Sequence, residues 1–257
     1  VTAVPGDSVD VTVDITVKGS SGSAKNMANE LQPQFLAEGN KLVVRSRTKK
    51  GWSWKRVSAR GTITVAMPPG MHLSIDISSG SAEISGDLGD SVVDFDGSSG
   101  SLKIDGAMRE VNADLSSGSV RVAVMRPLDV FSVDASSGSV RLAGGAREAR
   151  VDTSSGSVHV VGLLGDGNFD TSSGSITAQW SAIPAGASVR ADASSGSVRL
   201  TFPESTRLNG TVDVSSGGIE TDFPGRKSKK HLDLDGGPDA VKITVDTSSG
   251  SVKLLAN

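Results

Sequence analysis

Nine times this chain repeats one unit: an alternating run, an Asp, one residue, then Ser-Ser-Gly. The Ser-Ser-Gly cores begin at Ser78, Ser98, Ser116, Ser136, Ser154, Ser172, Ser194, Ser215 and Ser248. The first seven intervals are 20, 18, 20, 18, 18, 22 and 21 residues, and the last is 33. A period near 20 residues is the mark of a repeat architecture, in which each unit covers its apolar side by stacking on the next.

Position zero is the first Ser of each core. Position −2 is then always Asp: Asp76, Asp96, Asp114, Asp134, Asp152, Asp170, Asp192, Asp213 and Asp246. Positions −3 and −5 are mostly apolar, as in Val133 and Phe131 or Val245 and Ile243. Positions +4 and +6 are apolar too, as in Val120 and Val122 or Val198 and Leu200. Position +5 is polar: Glu83, Lys103, Arg121, Arg141, His159, Thr177, Arg199, Glu220 and Lys253. Alternation of period two on both sides of a Gly turn spells strand, tight turn, strand.

The turn column is Gly80, Gly100, Gly118, Gly138, Gly156, Gly174, Gly196, Gly217 and Gly250. Glycine supplies a positive φ at little cost. The Asp two residues earlier is placed to accept from the backbone N–H at position zero, an Asx-turn. A second Gly at +8, in Gly86, Gly106, Gly144 and Gly162, marks the other corner.

Two strands and two corners use up one repeat, so each repeat closes a coil and begins the next. The predicted fold is an all-β, single-domain β-solenoid of the β-helix or β-roll kind, with two strands per coil of about 18–22 residues. Coils stacked at about 4.8 Å would make a rod of roughly 40 Å. Its interior would hold Val, Ile, Leu and Ala, with Phe95, Phe131 and Phe169 as larger plugs. A meander of hairpins is the rival; it would set Asp152 opposite His159. The near-constant repeat length and turn favour the coil.

Residues 1–70 lack the unit and read as an N-terminal cap with irregular first coils, since a solenoid needs atypical ends. Strands are expected over 8–17, 41–47 and 61–67, and a short helix over 24–32, limited by Pro33. Residues 71–257 carry the regular repeats. Residues 222–240 interrupt the last one with Pro, Gly and both charge signs, and read as an inserted surface loop.

Composition narrows the function. The net charge of −3 provides no global basic field, so no nucleic-acid partner is expected. The absence of Cys excludes thiolate chemistry and Cys-ligated metals. No apolar run approaches the roughly 18 residues needed to span a bilayer. The chain begins at Val1 rather than Met, which suggests a processed or trimmed chain.

Gly61–Ile84, with Thr62–Met67, Pro68-Pro69 and the run from Leu73 through Asp76 into Ser78-Ser79-Gly80-Ser81, resembles the bacterial putative-adhesin β-strand-repeat family. That family is a domain of unknown function related to head domains of putative autotransporter adhesins. Val198–Pro203 and Asp246–Ser251 fit the same pattern; Gly218 and the 222–240 insertion depart from it. The resemblance implies a β-solenoid in an exported protein, periplasmic or at the cell surface, and brings no catalytic residues.

Catalysis, cofactors and metals are not expected. A Ser nucleophile needs an oriented base, and no Gly-x-Ser-x-Gly elbow stands between a strand and a helix. Ser157 and His159 share a strand face, but His159 sits in a solvated column. The Asp column could in principle bind Ca²⁺ in the manner of some β-rolls, but those place carboxylates and carbonyls inside a Gly-rich turn, whereas here Asp precedes it.

Two interruptions are the candidate contacts to protein partners or a membrane surface. Lys49, Lys50, Trp52, Trp54, Lys55 and Arg56 set two Trp on one strand face among cations. Arg226, Lys227, Lys229 and Lys230, followed by His231, form a basic run in the insertion. Trp180, in the 180–186 loop, reads as local packing. The expected function is a rigid, non-enzymatic scaffold, adhesion or protein-interaction module of the cell envelope, associated with membrane proteins as an accessory subunit of a larger complex. A polysaccharide-binding or carbohydrate-active solenoid and a Ca-binding β-roll are the alternatives.

Overall fold

A computed structural model describes residues 1–38, 41–45 and 57–257. Its elements, in chain order, are β1 (Thr2–Ala3), β2 (Asp10–Gly19), α1 (Ser21–Glu30), β3 (Gln34–Glu38), β4 (Lys41–Arg45), β5 (Val57–Met67), β6 (Leu73–Asp87), β7 (Val92–Ala107), β8 (Glu110–Val124), β9 (Leu128–Ser137), β10 (Val140–Ala143) and β11 (Ala146–Ser155). There follow β12 (Val158–Leu163), β13 (Asp166–Ser173), β14 (Ile176–Trp180), β15 (Ser188–Ser195), β16 (Val198–Phe202), β17 (Leu208–Ser216), β18 (Ile219–Thr221), β19 (Arg226–Lys227), β20 (His231–Asp235), β21 (Val241–Ser249) and β22 (Val252–Ala256). The chain forms two compact units, one built around residues 6–67 and the other around residues 68–257.

In the smaller unit the long strands β2 and β5 pair antiparallel from Asp10↔Ala66 to Gly19↔Val57. An antiparallel ribbon therefore stands where irregular first coils are expected. Helix α1 begins after Ser20 and buries Met27, while β3 and β4 form a separate two-stranded hairpin.

The larger unit is the β-solenoid. Successive motif strands pair parallel and in phase: Asp76↔Asp96, Asp96↔Asp114, Asp114↔Asp134, Asp134↔Asp152, Asp152↔Asp170 and Asp170↔Asp192. The strands after the turn pair the same way, so Arg121 meets Arg141 and Arg141 meets His159. A meander would give antiparallel partners within one repeat, so the coil is the answer.

The inner columns are those the alternation assigns, with one addition. Phe131, Val133, Val140 and Leu142 of one coil are buried, as are Ala149, Val151, Val158 and Val160 of the next. Position −1 also points inward, and places Leu115, Ala135, Thr153, Thr171 and Thr247 in the core. Burying each Val or Leu contributes at most about 1.5–3 kcal/mol, and the stacking repeats that gain from coil to coil.

The corner shows why Gly recurs. At Gly138 φ is 133°, and a Cβ there would lie 1.4 Å from the Gly118 carbonyl oxygen. Both the left-handed backbone and the contact between coils forbid a side chain. The Gly138 N–H donates to Ser155 O of the next coil (2.8 Å), and Gly156 repeats the bond to Ser173 O (2.9 Å). Each turn is thus held by its neighbour.

At the C-terminal end chain order and spatial order part. Strand β15 pairs not with β17 but with β21, through Asp192↔Asp246. Strand β21 then pairs with β17, through Asp213↔Asp246. On the other sheet β22 lies between β16 and β18. The last coil of the sequence is therefore the penultimate coil in space. The 222–240 insertion, expected as a surface loop, carries two strands: β20 runs antiparallel along β17 and β19 along β20. Leu232 and Leu234 of β20 are buried, so the insertion covers the outer edge of β17.

Candidate functional site

The coil interior has no space for a ligand. Trp180 ends β14, is fully buried, stacks on Phe202 at 4.6 Å and donates its indole N–H to Gly165 O (2.8 Å). Phe169 and Phe223 pack edge-on against Trp180 and Phe202, respectively. The charged side chains of this unit lie on its two outer faces.

The first face carries the Asp column. Through the permuted end it reads Asp76, Asp96, Asp114, Asp134, Asp152, Asp170, Asp192, Asp246, Asp213. Near its start a shallow groove of about 520 Å³ runs over Asp76, Asp94, Asp96, Asp114 and Asp134. Asp94 lies 2.7 Å from His72 Nε2 and accepts from Asn112 Nδ2 at 2.9 Å. At the far end Asp213 Oδ1 is 2.7 Å from His231 Nδ1.

The Asx-turn expectation fails. Among the described residues no carboxylate of the ladder accepts a hydrogen bond from the backbone N–H at position zero; the turn is held instead by Gly N–H groups that donate to Ser carbonyls of neighbouring coils. The ladder instead behaves as a like-charge column. Partial burial raises the Asp170 carboxyl above its ordinary value, and Asp192 and Asp152 raise it further. Burial raises Asp246 in the same way, with Asp192 and Asp213 on either side. Arg190, 3.6 Å from Asp192, offsets part of this. No three acidic or His side chains among the described residues converge as a metal site.

The second face carries the +5 column. In space it reads Glu83, Lys103, Arg121, Arg141, His159, Thr177, Arg199, Lys253, Glu220. Its ends are neutralised: Lys103 pairs with Glu83 at 3.7 Å and Lys253 pairs with Glu220. Between them Arg121, Arg141 and Arg199 are exposed and have no ion-pair partner among the described residues. His159 stands exposed in this cationic column, between Arg141 and Thr177.

The two sequence candidates fare differently. Lys49, Lys50, Trp52, Trp54, Lys55 and Arg56 lie outside the described residues. In the insertion, Lys230 Nζ donates to Gly217 O (2.8 Å), where a further coil would have placed its own donor. Arg226 pairs with Asp233 at 3.3 Å, while Lys227 and Lys229 extend into solvent beside them. This basic run terminates the ladder and charges the exposed edge strand β19, which discourages strand addition. Sequence reasoning missed the exposed Phe35, Leu36 and Leu42 on the β3–β4 hairpin. Phe35 and Leu42 share one face of the hairpin and Leu36 lies on the other, a placement that needs the β3–β4 register.

The family model described as Toastrack DUF4097, a solenoid domain of unknown function, matches residues 1–255. The chain belongs to that family. No curated protein and no solved structure matches it.

Proposed function

We propose that this chain is a non-enzymatic scaffold and interaction module of the bacterial cell envelope, docked as an accessory subunit of a membrane-associated complex or serving in adhesion. One observation supports this above the others: the coil is filled by its own side chains, and its polar groups stand outside in registered columns of opposite sign. A surface of that kind recognises by extended contact rather than by enclosing a small molecule. Exposed Phe35 and Leu42, on one face of the β3–β4 hairpin, give the smaller unit an apolar contact patch of its own. The carbohydrate reading is weaker, since the large aromatics of the solenoid are core residues.

The test is quantitative capture by the purified chain from detergent-solubilised envelope fractions. A single partner at fixed stoichiometry is expected, with affinity reduced by reversing Arg121 and Arg141 or by Phe35→Ala with Leu42→Ala. Absence of a stoichiometric partner overturns the interaction reading. Turnover of an envelope polysaccharide that disappears in Ser157→Ala or His159→Ala overturns the non-enzymatic one.

A further inference from the structure

The acidic and basic ladders belong to the same coils. Asp96, Asp114, Asp134 and Asp152 lie on one outer face, and Lys103, Arg121, Arg141 and His159 lie on the other face of the same four repeats. Both columns are registered strand to strand, so both rise at the strand spacing of about 4.8 Å. Asp114, Asp134 and Asp152 have no ion-pair partner among the described residues, and neither do Arg121 and Arg141. The chain thus displays a row of unpaired anions and, on its opposite side, a row of unpaired cations of the same pitch.

The geometry points to a second copy of this chain as the partner of these faces: the acidic face of one molecule lies against the basic face of the next, with Arg121 and Arg141 over Asp114 and Asp134. Equal pitch means that one pair in register sets its neighbours in register. Opposed cations also relieve the repulsion within the Asp column. The two patches are different surfaces of one molecule, so the contact is heterologous and repeats, giving a lateral row rather than a closed dimer. Exposed ion pairs contribute little singly and are screened by salt. Association therefore depends on several pairs at once and on ionic strength. This deepens the scaffold reading by naming one partner, and the two fail separately, since envelope capture does not require self-association.

The experiment uses two charge-reversal variants of this chain and one neutralising variant. Asp114→Lys with Asp134→Lys makes both faces basic there, and Arg121→Glu with Arg141→Glu makes both acidic. All four positions are exposed, and circular dichroism with melting curves checks the fold. Arg121→Gln with Arg141→Gln serves as a milder second variant of the basic face. In sedimentation velocity at low salt the wild type is expected to associate with increasing concentration and to dissociate at about 1 M salt, where the Debye length is about 3 Å. Each charge-reversal variant alone should be monomeric, and their equimolar mixture should associate at least tenfold more strongly than either. A monomeric wild type at low salt, association indifferent to salt, or a mixture no stickier than its components overturns the proposal. Binding to anionic phospholipid vesicles that is lost in Arg121→Glu with Arg141→Glu, without pairing in the mixture, also overturns it and assigns the basic face to a lipid surface.

Discussion

The middle coils, from β7 to β16, and the C-terminal end, from β17 to β22, are built from the same motif and stacked differently. In the middle each coil rests on its predecessor in the sequence. At the end the last coil slides between two earlier ones, and a β-hairpin closes the edge. The comparison teaches that the motif specifies how a coil fits its neighbours but not which coil the neighbour is. It also shows how the end is protected: β22 is held on both sides, by β16 and β18, and the outer edge of β17 is covered by the β19–β20 hairpin.

Glycine substitutions should break the comparison most sharply. Gly138→Ala in the middle would push a Cβ into the Gly118 carbonyl at a positive φ, and should cost more than about 4 kcal/mol or prevent folding. Gly218→Ser at the end, where nothing lies within 4 Å, should change stability by less than about 0.5 kcal/mol. Urea denaturation of both variants reads the difference.

Next in size is Leu254→Ala in the inserted coil. Leu254 is fully buried, and truncation should cost about 2–5 kcal/mol. Because β22 carries β18, and β21 carries β17, hydrogen exchange should accelerate from β17 to β20 while β7–β12 stay protected. Uniform acceleration across the solenoid would mean that the end is not a separable cooperative unit.

The threonines of position −1 give a smaller effect with opposite signs. Thr247 donates to Gly196 O at 3.2 Å, so Thr247→Val should destabilise by about 1 kcal/mol. The buried Thr153 hydroxyl has no partner, so Thr153→Val should be neutral or stabilising. Melting temperatures of the two variants measured side by side decide this.

The smallest effect is electrostatic. A carboxyl whose folded-state pKa is raised binds its proton more tightly in the folded chain. Its contribution is fully present below the ordinary value of 3.8 and is lost as the pH rises through the folded value. Asp170 and Asp246 therefore weaken the fold as pH climbs from about 4 toward neutrality. Asp246→Asn should raise the melting temperature at neutral pH and flatten its pH dependence in that window; no change would show that the column repulsion is screened.

Much of the fold was legible because the repeat averages out local ambiguity. Nine copies place −3, −5, +4 and +6 inward and −2 and +5 outward, and the structure keeps every column. The role of Asp was less legible: an Asp before a turn has the right spacing for an Asx-turn, but the corner is held by bonds between coils, from each turn Gly N–H to a neighbouring Ser carbonyl, which one repeat read alone does not contain. The basic run at 226–230 looked like a binding segment. Charge alone does not reveal that Lys230 completes the Gly217 corner or that Arg226 pairs with Asp233. The opposition of the two charge ladders is implicit in the positions −2 and +5, and needed only the knowledge that those columns face opposite ways.

The sequence by itself determined the coil: its period, the two strands, the glycine corner and the sidedness of each column, since these follow from local geometry and the alternation of side chains. Tertiary structure decided the order of the final coils. Every coil presents the same inner and corner residues to its neighbours, so stacking energy hardly distinguishes one order from another. The 203–207 connection, five residues that can span roughly 17 Å when extended, is long enough to cross two layers of about 4.8 Å. The choice then rests with the cap: only with the last coil inside can β20 lie along the outer edge of β17 and bury Leu232 and Leu234.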